Sequence, residues 1–283
     1  MKLFYKVIII LLFSFVYSSS IEEFSSCIVA IQGKKIRLIK INKESYELWL
    51  KGFKSLEAFP HEEKKTGTGF IVKDNGSNRI FLVTARHVID RLNKIKISMK
   101  SNNKYPYSIK LNDIKRNGVV WVNHPSTDVS VIELDENKMR SSSSGLKRLP
   151  ISMINPSKKA PSINRKLMAI GFPLGLGLNP FFSPIKKESN PSSGLFSYPF
   201  FPYFSKGALV YALQDTTVGG FSGAPIFNFN QSYTEGSTFV VSSEPIECFG
   251  LIHGTTGDDN GRLAIVVPSF YILETIQKAL IKY

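Results

Sequence analysis

From Gly69 onward the chain breaks into short apolar, β-branched runs, each closed by a cluster of Gly, Pro, Asn or Ser. Runs this short cannot form a coiled coil or a long helix; their backbone groups are satisfied only by pairing with one another. The expected strands are Gly69–Lys73 and Ile80–Thr84, split by the turn Asp74-Asn75-Gly76-Ser77-Asn78, then Ile95–Met99, Gly118–Val122 and Val129–Leu134. They continue with Lys166–Ile170, Ala208–Leu213, Ala224–Phe229, Thr238–Val241, Cys248–His253 and Leu263–Val267. Many short strands at this spacing predict an all-β antiparallel barrel or sandwich. The 283 residues suit one large unit or two small ones. A helix is expected after Pro268, with Ser269 as its cap and Leu273, Ile276, Ala279 and Leu280 on one face.

The first twenty residues read differently. Lys2 and Lys6 precede an apolar run from Val7 to Tyr17, and Ser18-Ser19-Ser20 follow as small residues at a cleavage position. The run is too short to span a bilayer, so residues 1–20 are expected to be a signal peptide and the protein secreted or periplasmic, with no transmembrane segment. Phe24-Ser25-Ser26-Cys27 is only a faint lipidation motif, since it stands well beyond the apolar run. Residues 21–65 are set apart as an N-terminal extension or propeptide, with a hairpin of Cys27–Gln32 and Ile36–Ile41 around Gly33-Lys34-Lys35 and a short helix at Glu44 to Leu56.

The net charge of +14 comes from lysines and arginines scattered through Asn- and Ser-rich loops, with no arginine-rich block, so a solvated basic surface is expected rather than a nucleic-acid site. Cys27 and Cys248 either bridge, as an exported chain permits, or stay as two thiols. Asn179 to Lys206 carries Phe181, Phe182, Phe196, Tyr198, Phe200, Phe201, Tyr203 and Phe204 without strand or helix periodicity. It is either an ordered loop laid on its own domain or a lid or contact surface.

Three segments carry the chemistry. Leu82-Val83-Thr84-Ala85-Arg86-His87-Val88 puts His87 where a strand ends, and His124-Pro125-Ser126-Thr127-Asp128-Val129 puts Asp128 where another begins. Val218-Gly219-Gly220-Phe221-Ser222-Gly223-Ala224-Pro225 flanks Ser222 with glycines, which allow a tight turn with the hydroxyl free and backbone N–H groups aimed at one point. A serine hydroxyl needs an adjacent base, an imidazole fits that task, and a carboxylate on the far ring nitrogen fixes its tautomer. The chain order His87, Asp128, Ser222 excludes the α/β-hydrolase and subtilisin arrangements.

Gly67-Thr68-Gly69-Phe70-Ile71-Val72, Thr84-Ala85-Arg86-His87-Val88, Asp128-Val129-Ser130-Val131-Ile132 and Gly220-Phe221-Ser222-Gly223-Ala224-Pro225 together resemble the bacterial trypsin-like serine peptidases of the chymotrypsin fold. Ala169-Ile170-Gly171-Phe172-Pro173-Leu174-Gly175 is similar to the DegP/HtrA-type proteases within them. The resemblance implies a peptidase domain over residues 66–283, with two antiparallel six-stranded barrels and a C-terminal helix. It implies a Ser222 nucleophile, a His87 base, an Asp128 carboxylate and an oxyanion hole from Gly220 and Ser222. It also implies a protein or peptide substrate and no metal or organic cofactor. Phe221 stands where trypsin-like zymogens carry an Asp, so activation by N-terminal insertion is not expected, and a bulky ring there threatens the hole. The residues after Ser222 are too few for a PDZ-sized module. In glutamyl endopeptidases a His on the pocket strand meets the substrate's acidic side chain. Here Gly250-Leu251-Ile252-His253-Gly254 puts it one residue later, so that strand alternation points it to the opposite face unless a bulge restores the register; His253, with Gly254, is expected at the substrate-pocket rim or as a structural histidine. The competing reading is a catalytically inactive binding or adhesion module on the same fold, motivated by Phe221 and by the aromatic segment.

Overall fold

The computed structural model describes residues 24–37, 61–90, 92–101, 105–140, 145–200, 207–228, 232–235, 238–241, 245–258 and 261–283. The expected signal peptide and the helix at 44–56 lie outside them.

The first sheet joins β1 (Ile28–Arg37), β2 (His61–Asp74), β3 (Arg79–Thr84), β4 (Asn93–Met99), β5 (Tyr107–Lys110), β6 (Val122–Asn123) and β7 (Ser130–Leu134) in the order β5-β4-β1-β2-β3-β7-β6. The two-residue β8 (Leu149–Pro150) adds to β2 in parallel. The second sheet runs β10 (Ile185–Ser189), β9 (Leu167–Gly171), β13 (Pro225–Asn228), β16 (Cys248–Asp258), β17 (Gly261–Pro268), β12 (Ala208–Leu213), β11 (Phe196–Tyr198), and β14 (Ser232–Glu235) pairs β15 (Thr238–Val241) apart from both. The all-β class, the two antiparallel sheets of the chymotrypsin type and the C-terminal helix are thus present. The sheets hold eight and seven strands among the described residues rather than six each.

Four local expectations need correction. The expected hairpin turn at Gly33-Lys34-Lys35 is absent: Ile28–Arg37 is one strand, lying between β4 and β2 with Ile28, Val29, Ala30 and Ile31 fully buried, and residues 38–41 of the expected hairpin lie outside the described residues. Gly33 is there for close approach, not for a turn. A Cβ on it would sit 2.9 Å from Leu92 Cβ, at the point where the β1–β4 register shifts. Gly118–Val122 is not a strand except at Val122, because Gly118 takes φ +77 and breaks the extension. Ser269 begins the helix Ser269–Lys282 without capping it; its hydroxyl donates to the Asn155 carbonyl at 2.5 Å. The aromatic segment contains two strands, β10 against β9 and β11 against β12.

The helix packs on β7 and β16 through Phe270, Ile272, Ile276 and Ala279, tying the two sheets together. Cys27 and Cys248 are separate, buried thiols. No helix among the described residues is long and apolar enough to cross a membrane.

Candidate active site

Asp128 is fully buried and opens onto β7. Its Oδ1 accepts the His87 backbone N–H at 2.9 Å and its backbone carbonyl accepts that of Arg86 at 3.3 Å. The single helical turn Arg86–Ile89, which leaves the end of β3, is therefore anchored on the residue its own histidine addresses. His87 Nδ1 lies 2.6 Å from Asp128 Oδ2. Burial alone would raise the Asp128 carboxyl; the charge of His87, then the hydrogen bonds from His253 and His87, outweigh it and hold the group well below the ordinary carboxylate range.

The segment before β13 makes two successive turns. Phe221 N–H donates to the Val218 carbonyl at 3.3 Å and Ala224 N–H to the Phe221 carbonyl at 2.8 Å. Each has a glycine with positive φ at its third residue, Gly220 at +100 and Gly223 at +84. Side chains are excluded at both: a Cβ on Gly220 would fall 2.2 Å from the Phe172 carbonyl oxygen, and one on Gly223 2.1 Å from that of Thr68. Ser222 is the second residue of the second turn and is half-buried. Among the described residues the N–H groups of Gly220 and Ser222 donate to no partner, and the Gly219 carbonyl is drawn aside by the Leu174 N–H at 2.6 Å. Phe221 does not intrude: its ring is 3% exposed and belongs to the second sheet's core with Leu167, Ala224 and Ile226.

Thr68, quoted in sequence only as part of a Gly-Thr-Gly run, carries the link between the sheets. Its hydroxyl donates to the Gly220 carbonyl at 2.7 Å and accepts the Phe172 N–H at 3.0 Å. Its N–H donates to the Ser222 carbonyl at 2.9 Å. Its own carbonyl takes the Thr84 hydroxyl at 2.7 Å.

His87 and Ser222 line one cavity of about 200 Å³ with Lys65, Thr66, Gly67, Val88 and Leu92. Among the described residues no hydrogen bond joins Ser222 Oγ to His87. His253 and Gly254 do not line this cavity. The bulge that would re-aim His253 is present, as a register shift between Ile252 and Gly254 against β17, and it turns the ring toward Asp128, with His253 Nδ1 2.5 Å from Oδ2. His87, Asp128 and His253 are thus one group of metal-ligand types within 4.8 Å. The nitrogen–oxygen separations of 2.5 and 2.6 Å are those of hydrogen bonds, shorter than the ~3.3 Å between two ligands of a tetrahedral ion bonded at about 2.0 Å. His124, read as a loop residue, is buried in that loop. It accepts the Ser126 N–H at 3.2 Å and meets Glu274 of the C-terminal helix at 3.2 Å. His61 begins β2.

Residues 67–233 match the family model for the trypsin-like peptidase domain. Among curated protein sequences none matches. Solved structures agree on the fold at low identity. The Rv3671c protease of M. tuberculosis, active form, is 15% identical with a TM-score of 0.52, over 90% of this chain and 81% of that one. The HtrA-type protease AlgW with decapeptide is 13% identical with a TM-score of 0.52, over 93% and 67%. An inactivated protease paralogue of the scabies mite is 14% identical with a TM-score of 0.50, over 93% and 98%. Since the matched span is more than half of the chain and takes in His87, Asp128 and the Ser222 turn, the chain belongs to the trypsin-like peptidase family.

Proposed function

We propose that this chain is an exported serine endopeptidase in which Ser222 is the nucleophile, His87 the base and Asp128 the orienting carboxylate. The observation that carries the reading is the meeting of His87, already seated on a buried Asp128, with Ser222 on the wall of one cavity beside two unspent backbone N–H groups.

With Nδ1–H donated to Asp128, the other ring nitrogen, Nε2, holds a lone pair. As Ser222 Oγ bonds to the scissile carbonyl carbon, its proton passes to Nε2, and the carbonyl π electrons move onto the oxygen. That oxyanion is met by the Gly220 and Ser222 N–H groups, whose positions are fixed by the positive φ at Gly220 and the Thr68 bond to its carbonyl. Collapse of the intermediate breaks the C–N bond, and the proton on His87 goes to the leaving amine. Water then repeats the sequence on the acyl-enzyme, returning the proton to Ser222. The missing Ser222–His87 hydrogen bond fits a free site, where such bonds are long and tighten on substrate. A peptide substrate accords with the decapeptide in the similar AlgW structure. Export rests on the charged and apolar pattern of residues 1–20.

The test is reaction of the purified protein with a fluorophosphonate probe beside Ser222→Ala and His87→Ala. Labelling of the wild type that is lost in both variants is expected. A folded wild type that does not label would leave the inactive binding module as the reading.

A further inference from the structure

Asp128 has more donors than a triad requires. Its Oδ1 accepts the His87 N–H, while Oδ2 faces Nδ1 of His87 at 2.6 Å and Nδ1 of His253 at 2.5 Å. An ionised carboxylate only accepts, so each ring must present Nδ1–H to it. The two rings lie edge to face, 5.1 Å between centroids and 79° apart, on either side of one negative charge.

His253 is also built in. The bulge between Ile252 and Gly254 aims it out of the β16–β17 ladder. The aromatic segment then walls it: Phe200 stands edge-on at 4.9 Å and 86°, and Tyr198, held by the pairing of β11 with β12, at 5.8 Å. Phe200 is 2% exposed and packs on Tyr198, so the wall is part of the core. The titratable groups that face His253 are Asp128 and His87 from the first sheet and the Tyr198 hydroxyl bearer from the segment. On the far side of His87, Lys65 lines the cavity, and Arg86 pairs with Asp90.

We propose that His253 is a positioning residue that shares Oδ2 of Asp128 with His87 and, braced by Phe200 and Tyr198, fixes the carboxylate against the His87 ring. With Oδ1 on the His87 backbone N–H and Oδ2 between two ring N–H groups, the carboxylate is held from three sides and cannot turn away from the base. Without the His253 donor, Oδ2 is released on one side. The catalytic meaning of this contact rests on the peptidase reading above; the contact itself does not.

Two variants separate the donor from the ring. His253→Asn keeps an amide N–H at the level of Nδ1, and His253→Phe keeps a ring against Tyr198 and Phe200 with no donor. The Phe variant should label with the fluorophosphonate about 10- to 100-fold more slowly than the wild type, for want of one hydrogen bond to a charged group, and the Asn variant should restore most of that loss. The NMR signal of the His87 Nδ1 proton reads the same contact without chemistry at Ser222: it should persist in His253→Asn and move or broaden in His253→Phe. A wild type that does not label overturns the peptidase reading, and the NMR signal then decides the role of His253 alone. A His253→Phe variant that keeps the His87 signal, with unchanged labelling where labelling occurs, overturns the proposal.

Discussion

Phe221 shows how one side chain fixes the loop that carries Ser222 without touching it chemically. A carboxylate in its place would have to find a cation; the phenyl ring needs only a dry slot, which it has against Gly171 in the second sheet's core. A Cβ on Gly171 would come 3.0 Å from the Phe221 ring, so the slot is filled to contact. The ring therefore pulls the Val218–Ala224 segment onto the second sheet, while Thr68 holds it from the first. Phe221→Ala should cost about 3–5 kcal/mol in urea unfolding, the range for emptying a buried aromatic site. Because the lost anchor lies beside the Gly220 and Ser222 N–H groups proposed to meet the oxyanion, probe labelling of the folded variant should fall as well. Full labelling at reduced stability would show that Thr68 and the two glycines hold the loop unaided.

At the scale of elements, β1 decides what the folding unit is. Ile28, Val29 and Ile31 are fully buried between β4 and β2, and each contributes about 2 kcal/mol by burial, a sum comparable with the whole stability of a typical domain. A chain beginning at Thr66 should accordingly be unfolded or aggregated by circular dichroism, whereas one beginning at Ile21 should melt cooperatively; a cooperative melt from the shorter chain would count against β1 as an obligate strand. Most of the second half was legible in sequence, since Ala208–Leu213 and Thr238–Val241 coincide with β12 and β15. β1 was not, because Gly33-Lys34-Lys35 has the composition of a turn, and only the fold reveals that Leu92 needs the space. β10 and β11 were hidden for another reason: they are the two outer strands of the second sheet, mostly exposed, and Lys186-Lys187-Glu188 carries no apolar alternation. The triad candidates were legible because their chemistry is local to short motifs. The place of His253 was not, because a bulge reverses what strand alternation dictates. Thr68 escaped because its bonds run to Gly220 and Phe172, more than a hundred residues along the chain.

Across the whole molecule the two sheets and the terminal helix meet around buried titratable groups, and this sets the response to acid. His124 is pushed below the ordinary histidine value of 6.5 by burial, against the raising influence of Glu274 on the helix. Asp128 is held below the ordinary 3.8, the charge of His87 and the hydrogen bonds from both histidines outweighing the cost of burial. In each case the unfolded chain takes up a proton before the folded one does, so stability rises with pH through the window below each ordinary value. The contribution of His124 is whole above pH 6.5 and is lost as pH falls toward its folded value. That of Asp128 is whole above pH 3.8 and is lost only as pH falls below it. Urea unfolding measured from pH 8 to pH 3 should therefore show two descending stretches, one starting near 6.5 and one near 3.8. His124→Gln should flatten the upper stretch and leave the lower, since the amide has no proton to gain. Asp128→Asn should flatten the lower stretch at the expense of a less stable fold above it, because both histidines then lose the charge they are hydrogen-bonded to. A His124→Gln profile parallel to the wild type between pH 7 and 5 would mean that the seam between the Asp128 loop and the C-terminal helix opens to water before its histidine is protonated.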